Sequence, residues 1–301
     1  MADSSTASSD KDDRLHLPHP KNSAGRNLPV AITTGVLLGI LVIVCLIVPY
    51  AWYPMIAVVM GLATYEVWRR LTEHGYDLNL PVLLVGGQAM IWLSWPFGAT
   101  GLLSAFAVTA LVTVIVRLFH SGRTEPPRNW LRDSGVSLFV MFWIPLCGGF
   151  AAMLSEMEHD GVRGWAFIVT LMLCVIASDV GGFAAGVFFG SHPMVPAISP
   201  KKSWEGFCGS LVVAALVGMA GVVILLKIHG VGGYLLGLGL GLGLALCATL
   251  GDLVESQFKR DLGIKDMSTM LPGHGGLMDR LDGMLPAALL TWVVLNAVSA
   301  A

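Results

Sequence analysis

The chain has 301 residues, 55% of them hydrophobic and only 13% charged, with a formal net charge of −2 and a mean hydropathy of +0.73. Several apolar runs of about 20 residues exceed what a soluble core needs, and each is long enough to cross ~30 Å of hydrocarbon as a helix. The charge balance excludes nucleic acid as a partner, since that needs a basic footprint, and the composition predicts an all-α polytopic integral membrane protein.

Residues 1–27 are rich in Ser and Asp, carry four basic residues and have no apolar h-region, so the arm reads as disordered and cytoplasmic rather than as a cleaved secretory signal. The apolar pattern then predicts nine spans, at about Leu28–Val48, Ala51–Trp68, Leu80–Phe97, Ala99–Leu118, Ser134–Leu154, Trp165–Phe189, Phe207–Leu226, Val231–Leu250 and Met284–Ala300. Spans three and four have one residue between them and predict a tight hairpin. The eighth carries Gly233 and Gly237 at GxxxG spacing; small residues let backbones approach closely, which predicts helix packing and leaves a homodimer through these helices open. The five cysteines lie singly in or beside apolar runs, without CxxC spacing, and read as small core residues.

Nine spans put the termini on opposite sides, and the lysine and arginine distribution orients them. With the N-terminus inside, the inner segments hold Lys11, Arg14, Lys21 and Arg26, then Arg69 and Arg70, then Arg117, Arg123, Arg128 and Arg132, then Lys201 and Lys202, then Lys259, Arg260, Lys265 and Arg280. Only Arg163 and Lys227 remain outside. The expectation is a multi-pass protein of the cell (plasma) membrane, N-terminus cytoplasmic and C-terminus on the opposite side. Residues 28–163 form an N-terminal region of about five helices, and 164–301 a catalytic region of about four, with cytoplasmic loops at 190–206 and 251–283.

The second of these loops concentrates the charge. Asp252, Glu255, Ser256 and Lys259 fall at i, i+3, i+4 and i+7, on one face of a helix that continues span eight past the membrane surface. Gly263 breaks it, Pro272 and Gly273 make a turn, and His274, Gly275 and Gly276 lead to Asp279 and Asp282, again three apart. Two helical segments thus present a carboxylate pair each, a hard-oxygen set suited to Mg²⁺. The interleaved Lys259, Arg260, Lys265 and Arg280 suit phosphate oxygens, so that both requirements of phosphoryl or nucleotidyl transfer are present. The competing reading is a set of solvated ion pairs at helical spacing. In the first loop, Lys201 and Lys202 suit phosphate or enforce topology. No P-loop or dinucleotide-binding glycine motif occurs. Asp179 stands within the sixth span, where an acid costs about 2.5–3.5 kcal/mol on insertion scales, and faces either a polar cavity or a helix–helix hydrogen bond. His274 binds phosphate or orders its turn.

The run from Ser256 to Asp282 closely resembles the signature of the phosphatidate cytidylyltransferase (CDP-diacylglycerol synthase) family, bacterial type. That signature reads S-x-x-K-R-x-x-x-x-K-D-x-x-x-x-x-P-G-H-G-G-x-x-D-R-x-D, and every fixed position is filled here. The upstream Ser-Pro-Lys-Lys-Ser-Trp-Glu-Gly of 199–206 looks like the family's looser second motif, with Ser203 where Thr is more usual. By motif the resemblance covers roughly 178–283. It implies a Mg²⁺-dependent reaction of phosphatidate with CTP, among membrane lipids, giving CDP-diacylglycerol and pyrophosphate for phospholipid biosynthesis. In that reaction the lipid phosphate attacks the α-phosphorus in line. Carried onto these positions, Asp252 and Asp279 are the preferred metal ligands, with Glu255, Asp282 and Asp179 as further candidates. Lys259, Arg260, Lys265, Asp266, His274 and Arg280 fall in catalytic positions; Ser199, Lys201, Lys202, Ser203, Ser256, Gly275 and Gly276 in substrate-binding ones.

Three alternatives are weighed. A CDP-alcohol phosphotransferase shares the D-x-x-D-G of Asp279 to Gly283, but its motif needs further acids, and Met284–Ala301 contains no charged residue. A CTP-dependent polyprenol or lipid-alcohol kinase uses related substrates, and the full signature favours a lipid phosphate as acceptor. A membrane transporter would show repeat-related broken helices, which the sequence does not display.

Overall fold

The computed structural model describes residues 28–48, 50–121 and 128–299. The predicted cytoplasmic arm, residues 1–27, lies outside them. Helix α1, Leu28–Ile47, is apolar on every side and leaves Ile32, Val36, Leu37 and Ile40 exposed; lipid is the solvent for such a surface. Helix α2, Trp52–Glu73, buries Tyr53, Ile56, Met60, Ala63, Val67 and Leu71, a stripe at three- and four-residue spacing.

Helix α3, Leu80–Ser121, is interrupted at Gly98, whose φ of 56° and ψ of −144° lie where only glycine is comfortable. The halves fold back on each other: a Cβ at Gly86 would collide with the Thr109 side chain, and one at Gly101 with the Leu93 carbonyl. This is the hairpin expected from spans three and four. The rod Trp130–Glu156 follows, made of α4, Trp130–Met141, a π-turn at Phe142–Leu146 containing Pro145, α5, Cys147–Met153, and a final 3₁₀ turn. Proline lacks an N–H, so the ladder widens around it instead of closing normally. Strands β1, Glu158–His159, and β2, Val162–Arg163, form a small antiparallel hairpin whose turn residues Asp160 and Gly161 both have positive φ, the requirement of a two-residue turn.

Helix α6, Gly164–Phe189, leads into β3, Pro193–Val195, and β4, Ser199–Ser203, which pair antiparallel. Helix α7, Trp204–Ala220, starts at Ser203, whose hydroxyl accepts the Gly206 N–H at 3.1 Å and so satisfies one free donor of the first turn. Helix α8, Gly230–Asp261, has 32 residues; at ~1.5 Å per residue it is about 48 Å long, more than the hydrocarbon requires, so its end projects beyond it. The short α9, Met278–Leu281, precedes α10, Met284–Ser299.

Among the described residues, six helical segments are long and apolar enough to cross a membrane: Leu80–Phe119, Trp130–Glu156, Gly164–Phe189, Trp204–Leu225, Gly230–Asp261 and Met278–Val298. The first contains the Gly98 reversal. Helices α1 and α2 are additional; α2 carries Glu66, Arg69, Arg70 and Glu73, which lower its hydropathy. The expected nine crossings and the sides of the termini go beyond these six.

Helices α6, α7 and α8 pack backbone to backbone through glycine. Gly181 abuts Gly209, while Gly237 and Gly241 lie on Gly218 and Ala214 of α7. The predicted small-residue packing of α8 is thus found within the chain, with Gly241 rather than Gly233 as the second residue on α7. All five cysteines are free, but Cys208 is exposed, at odds with the core role expected of it. Helix α10 crosses α8 where Gly251 meets the Asp282 carbonyl and Gly283 meets Ala248. That crossing positions the site.

Candidate functional site

Because Gly251 has no side chain, the α8–α10 crossing brings Asp282 beside the polar face of α8. Carboxylate oxygens of Asp252, Glu255 and Asp282 all lie within 4.8 Å of one another. Glu255 is 1% exposed; one of its oxygens is bonded by Lys259, and the other, Oε1, is buried without a partner among the described residues. Asp252 accepts the Ser256 hydroxyl at 3.2 Å and is ion-paired to Lys202 at 2.6 Å. Lys202 also donates to the Thr249 carbonyl at 3.3 Å, so the β3–β4 hairpin is held against α8.

Asp279 is placed differently. It is ion-paired to Lys259 at 2.9 Å and accepts the Gly276 N–H at 2.8 Å and the Met267 N–H at 3.2 Å. Lys259 therefore sits between Glu255 and Asp279, while Asp279 fixes the backbone of the Gly-rich turn. Of the five acids considered as metal ligands, the structure clusters Asp252, Glu255 and Asp282 and commits Asp279 to the loop.

Asp179 on α6 lines a cavity of about 290 Å³ together with Lys201, Lys202, Ser203, Gly206 and Asp252. The α6 acid thus lines a cavity of mixed character, with charged and hydroxyl side chains beside Phe183, Met194 and Phe207, nearer the first of its two sequence readings than a helix–helix hydrogen bond. Gly182 narrows the α6–α7 gap here: a Cβ on it would collide with Ser210, whose hydroxyl already donates to the Ser178 carbonyl at 2.8 Å. Ser199 pairs with Val195 at the hairpin turn and is not part of the cavity wall.

The remaining candidates surround this core. Arg260 donates to the Ile198 carbonyl at 3.2 Å, joining the two polar loops. Arg280 clamps the His274 carbonyl with two bonds, at 3.1 and 2.6 Å. His274 turns its ring toward α1, where a Cβ at Gly35 would lie 3.4 Å from it, and its Nδ1 is buried without a partner among the described residues. Gly275 has φ of 88° and pairs with Leu271 in an isolated bridge. A Cβ at Gly276 would lie 2.7 Å from Glu66 Oε1 and 2.8 Å from Asp279 Oδ2. Lys265 and Asp266 are exposed.

Sequence reasoning passed over Glu66. This α2 residue is 3% exposed, accepts the Ser268 hydroxyl, and accepts the Leu277 and Met278 N–H groups at 3.1 and 2.7 Å. One turn on, Arg70 donates to the Met267 carbonyl. The signal was present, since an acid inside a span is costly, but the following Arg69, Arg70 and Glu73 made it look like an interfacial end.

Chemically, the site combines an anionic cluster with cations that bound it on two sides. Three carboxylates in such proximity repel one another at effective interior dielectric constants, and Lys202 and Lys259 offset part of that repulsion. The hard-oxygen set with an open acceptor suits a divalent cation of the Mg²⁺ type.

Residues 30–298 match the model of the Cytidylyltransferase family. A protein named phosphatidate cytidylyltransferase from Mycobacterium bovis is 49% identical over 282 residues, covering 91% of this chain and 90% of its own length. Relatives of the same name from Mycobacterium leprae and Pseudomonas aeruginosa are 46% and 33% identical, covering 91% and 79% of this chain and 89% and 86% of their own lengths. With the match running through nearly all the described helices and both polar loops, the chain belongs to the cytidylyltransferase family.

Proposed function

We propose that this protein transfers CMP from CTP to phosphatidate, giving CDP-diacylglycerol and pyrophosphate, at the cytoplasmic face of the cell membrane. The observation that carries the reading is the Asp252–Glu255–Asp282 cluster, flanked by Lys202 and Lys259 at the end of a helix that outruns the hydrocarbon. The relatives' names supply the substrate class. The basic residues grouped on one side of nine predicted spans support a cytoplasmic site, where CTP is available.

Mg²⁺ fits the cluster, because the buried Glu255 Oε1 has no partner among the described residues and such ions use carboxylates plus substrate phosphates. Asp252, Glu255 and Asp282 would hold it, and it would supply charge neutralisation for the triphosphate. The protein residues act by placing charge. Lys201, Arg260 and Lys265 are exposed and available to phosphate oxygens, and Lys201 and Lys202 border the cavity that Asp179 lines. A phosphatidate oxygen forms a bond to the α-phosphorus of CTP, the bond from that phosphorus to the bridging oxygen breaks, and pyrophosphate leaves with the electron pair. The nucleophile is already an anion, so no covalent protein intermediate or general base is needed, and catalysis rests on positioning and electrostatics. A homodimer through α8 has the Gly232 and Gly239 face available, where a Cβ meets no neighbour.

The test is turnover by the purified protein in detergent with phosphatidate, Mg²⁺ and CTP. Lipid-linked CMP with stoichiometric pyrophosphate is expected. Phosphorylated lipid with CDP release would overturn the reading in favour of a lipid-alcohol kinase.

A further inference from the structure

The catalytic loop is held by the N-terminal half of the chain as well as by its own neighbours. We infer that Glu66 on α2 is a positioning residue for cytidylyl transfer, acting through the backbone of Leu277 and Met278 to place Asp279 and Arg280. The inference rests on the reaction proposed above.

Glu66 is buried at 3% exposure on α2, and among the described residues no Lys or Arg is salt-bridged to it. Its charge is satisfied by the loop alone: the Ser268 hydroxyl, the Leu277 N–H at 3.1 Å and the Met278 N–H at 2.7 Å. The two amides open the one-turn α9, and a carboxylate there binds free N–H donors that have no helical partner. The residue immediately after this pair is Asp279, whose oxygens accept Gly276 and Met267 amides and the Lys259 ammonium.

Gly276 lies between the two acids, with room for no Cβ. Arg70, one turn along the same helix face, anchors the Met267 carbonyl, on the other side of the loop from Leu277. Helix α2 thus grips both ends of the 267–278 segment, at Met267 and Ser268 and again at Leu277 and Met278. A shift of that segment would move Asp279 off Lys259 and Arg280 off the His274 carbonyl. Misplacement of about 1 Å can cost about a hundredfold in rate.

The experiment compares wild-type protein with Glu66→Gln in detergent, by hydrogen exchange and by kinetics with phosphatidate and CTP. An amide side chain leaves one acceptor oxygen and turns a donor toward a backbone N–H. The expected result is faster exchange, by about tenfold or more, at the Leu277 and Met278 amides, with α3 and α6 unchanged. A fall in kcat of about tenfold or more should accompany it, with KM for CTP within about threefold, as lost charge-assisted bonds and a displaced Asp279 require. Wild-type protection at 277–278 with kcat within twofold of wild type overturns the inference, and so does a loss spread through the whole bundle. Ser268→Ala, which removes one partner from the half-buried loop, covers the case of a Gln variant that does not fold. It should lower kcat about threefold, and unchanged kcat overturns the inference. Absence of lipid-linked CMP from the wild-type reaction defeats the underlying reaction instead, while the exchange result still reports whether Glu66 holds the loop.

Discussion

Replacing Lys259 by Met tests how the anionic cluster is held together. The ammonium is shared by Glu255 and Asp279, and the side chain of Lys259 is 14% exposed against 1% and 10% for its partners. Met keeps most of the volume and removes the charge, leaving two enclosed carboxylates without their common cation. Breaking a buried pair by removing one partner costs roughly 3–5 kcal/mol. Asp279 keeps its Gly276 and Met267 amides, which puts the loss near the lower figure, about 3 kcal/mol. At ~2.1 cal/mol/K of unfolding entropy per residue, a chain of 301 residues loses roughly 1.6 °C of Tm per kcal/mol, so the expected drop is about 5 °C. Thermal unfolding in detergent measures it, with Lys265→Met as the reference. Lys265 is exposed and has no side-chain partner among the described residues, so its replacement should leave Tm within about 2 °C. Adding Glu255→Gln to Lys259→Met should restore part of the loss, since removing both members of a pair costs less than removing one. A Lys259→Met protein melting within 2 °C of wild type would refute the reasoning.

Two further outcomes follow from the site. Gly276→Ala places a methyl group against both Glu66 and Asp279 and should lower kcat at least tenfold, the loop having to shift to relieve the overlap; a steady-state assay at saturating CTP measures this, and near-normal turnover would argue against the close approach. Glu255→Gln should raise the Mg²⁺ concentration needed for half-maximal activity by tenfold or more, as expected when one charged oxygen ligand is lost, whereas Ser199→Ala, outside the cavity wall, should leave it unchanged; Mg²⁺ titrations of initial rate compare the two.

Much of this architecture was legible because it depends on patterns one helix can carry. The apolar runs located α1 to α8 and α10, and the single residue between spans three and four marked the reversal that Gly98 makes. The i, i+3, i+4, i+7 order of Asp252, Glu255, Ser256 and Lys259 gave their common face on α8, because helical spacing is local. Their partners were not local. Asp282 joins Asp252 and Glu255, while Asp279 leaves them, because of where α10 crosses α8 at Gly251 and Gly283; two acids three residues apart carry no record of that crossing. Glu66 was hidden for a related reason, since its ligands lie more than 200 residues away. The β3–β4 hairpin lies in the stretch that the sequence presents as a cytoplasmic loop, its Pro-containing, charged sequence being unlike an ordinary strand. Cys208 was placed in the core because a small apolar residue in a span looks the same whether it faces protein or lipid.

The central claim, that the carboxylate cluster serves cytidylyl transfer to a lipid phosphate, is tested most directly by following two labels in parallel reactions with phosphatidate and Mg²⁺. With label on the α-phosphorus of CTP, the account predicts recovery in the lipid fraction; with label on the γ-phosphorus, recovery in pyrophosphate. Label from the γ-phosphorus in the lipid, or from neither position, would contradict it.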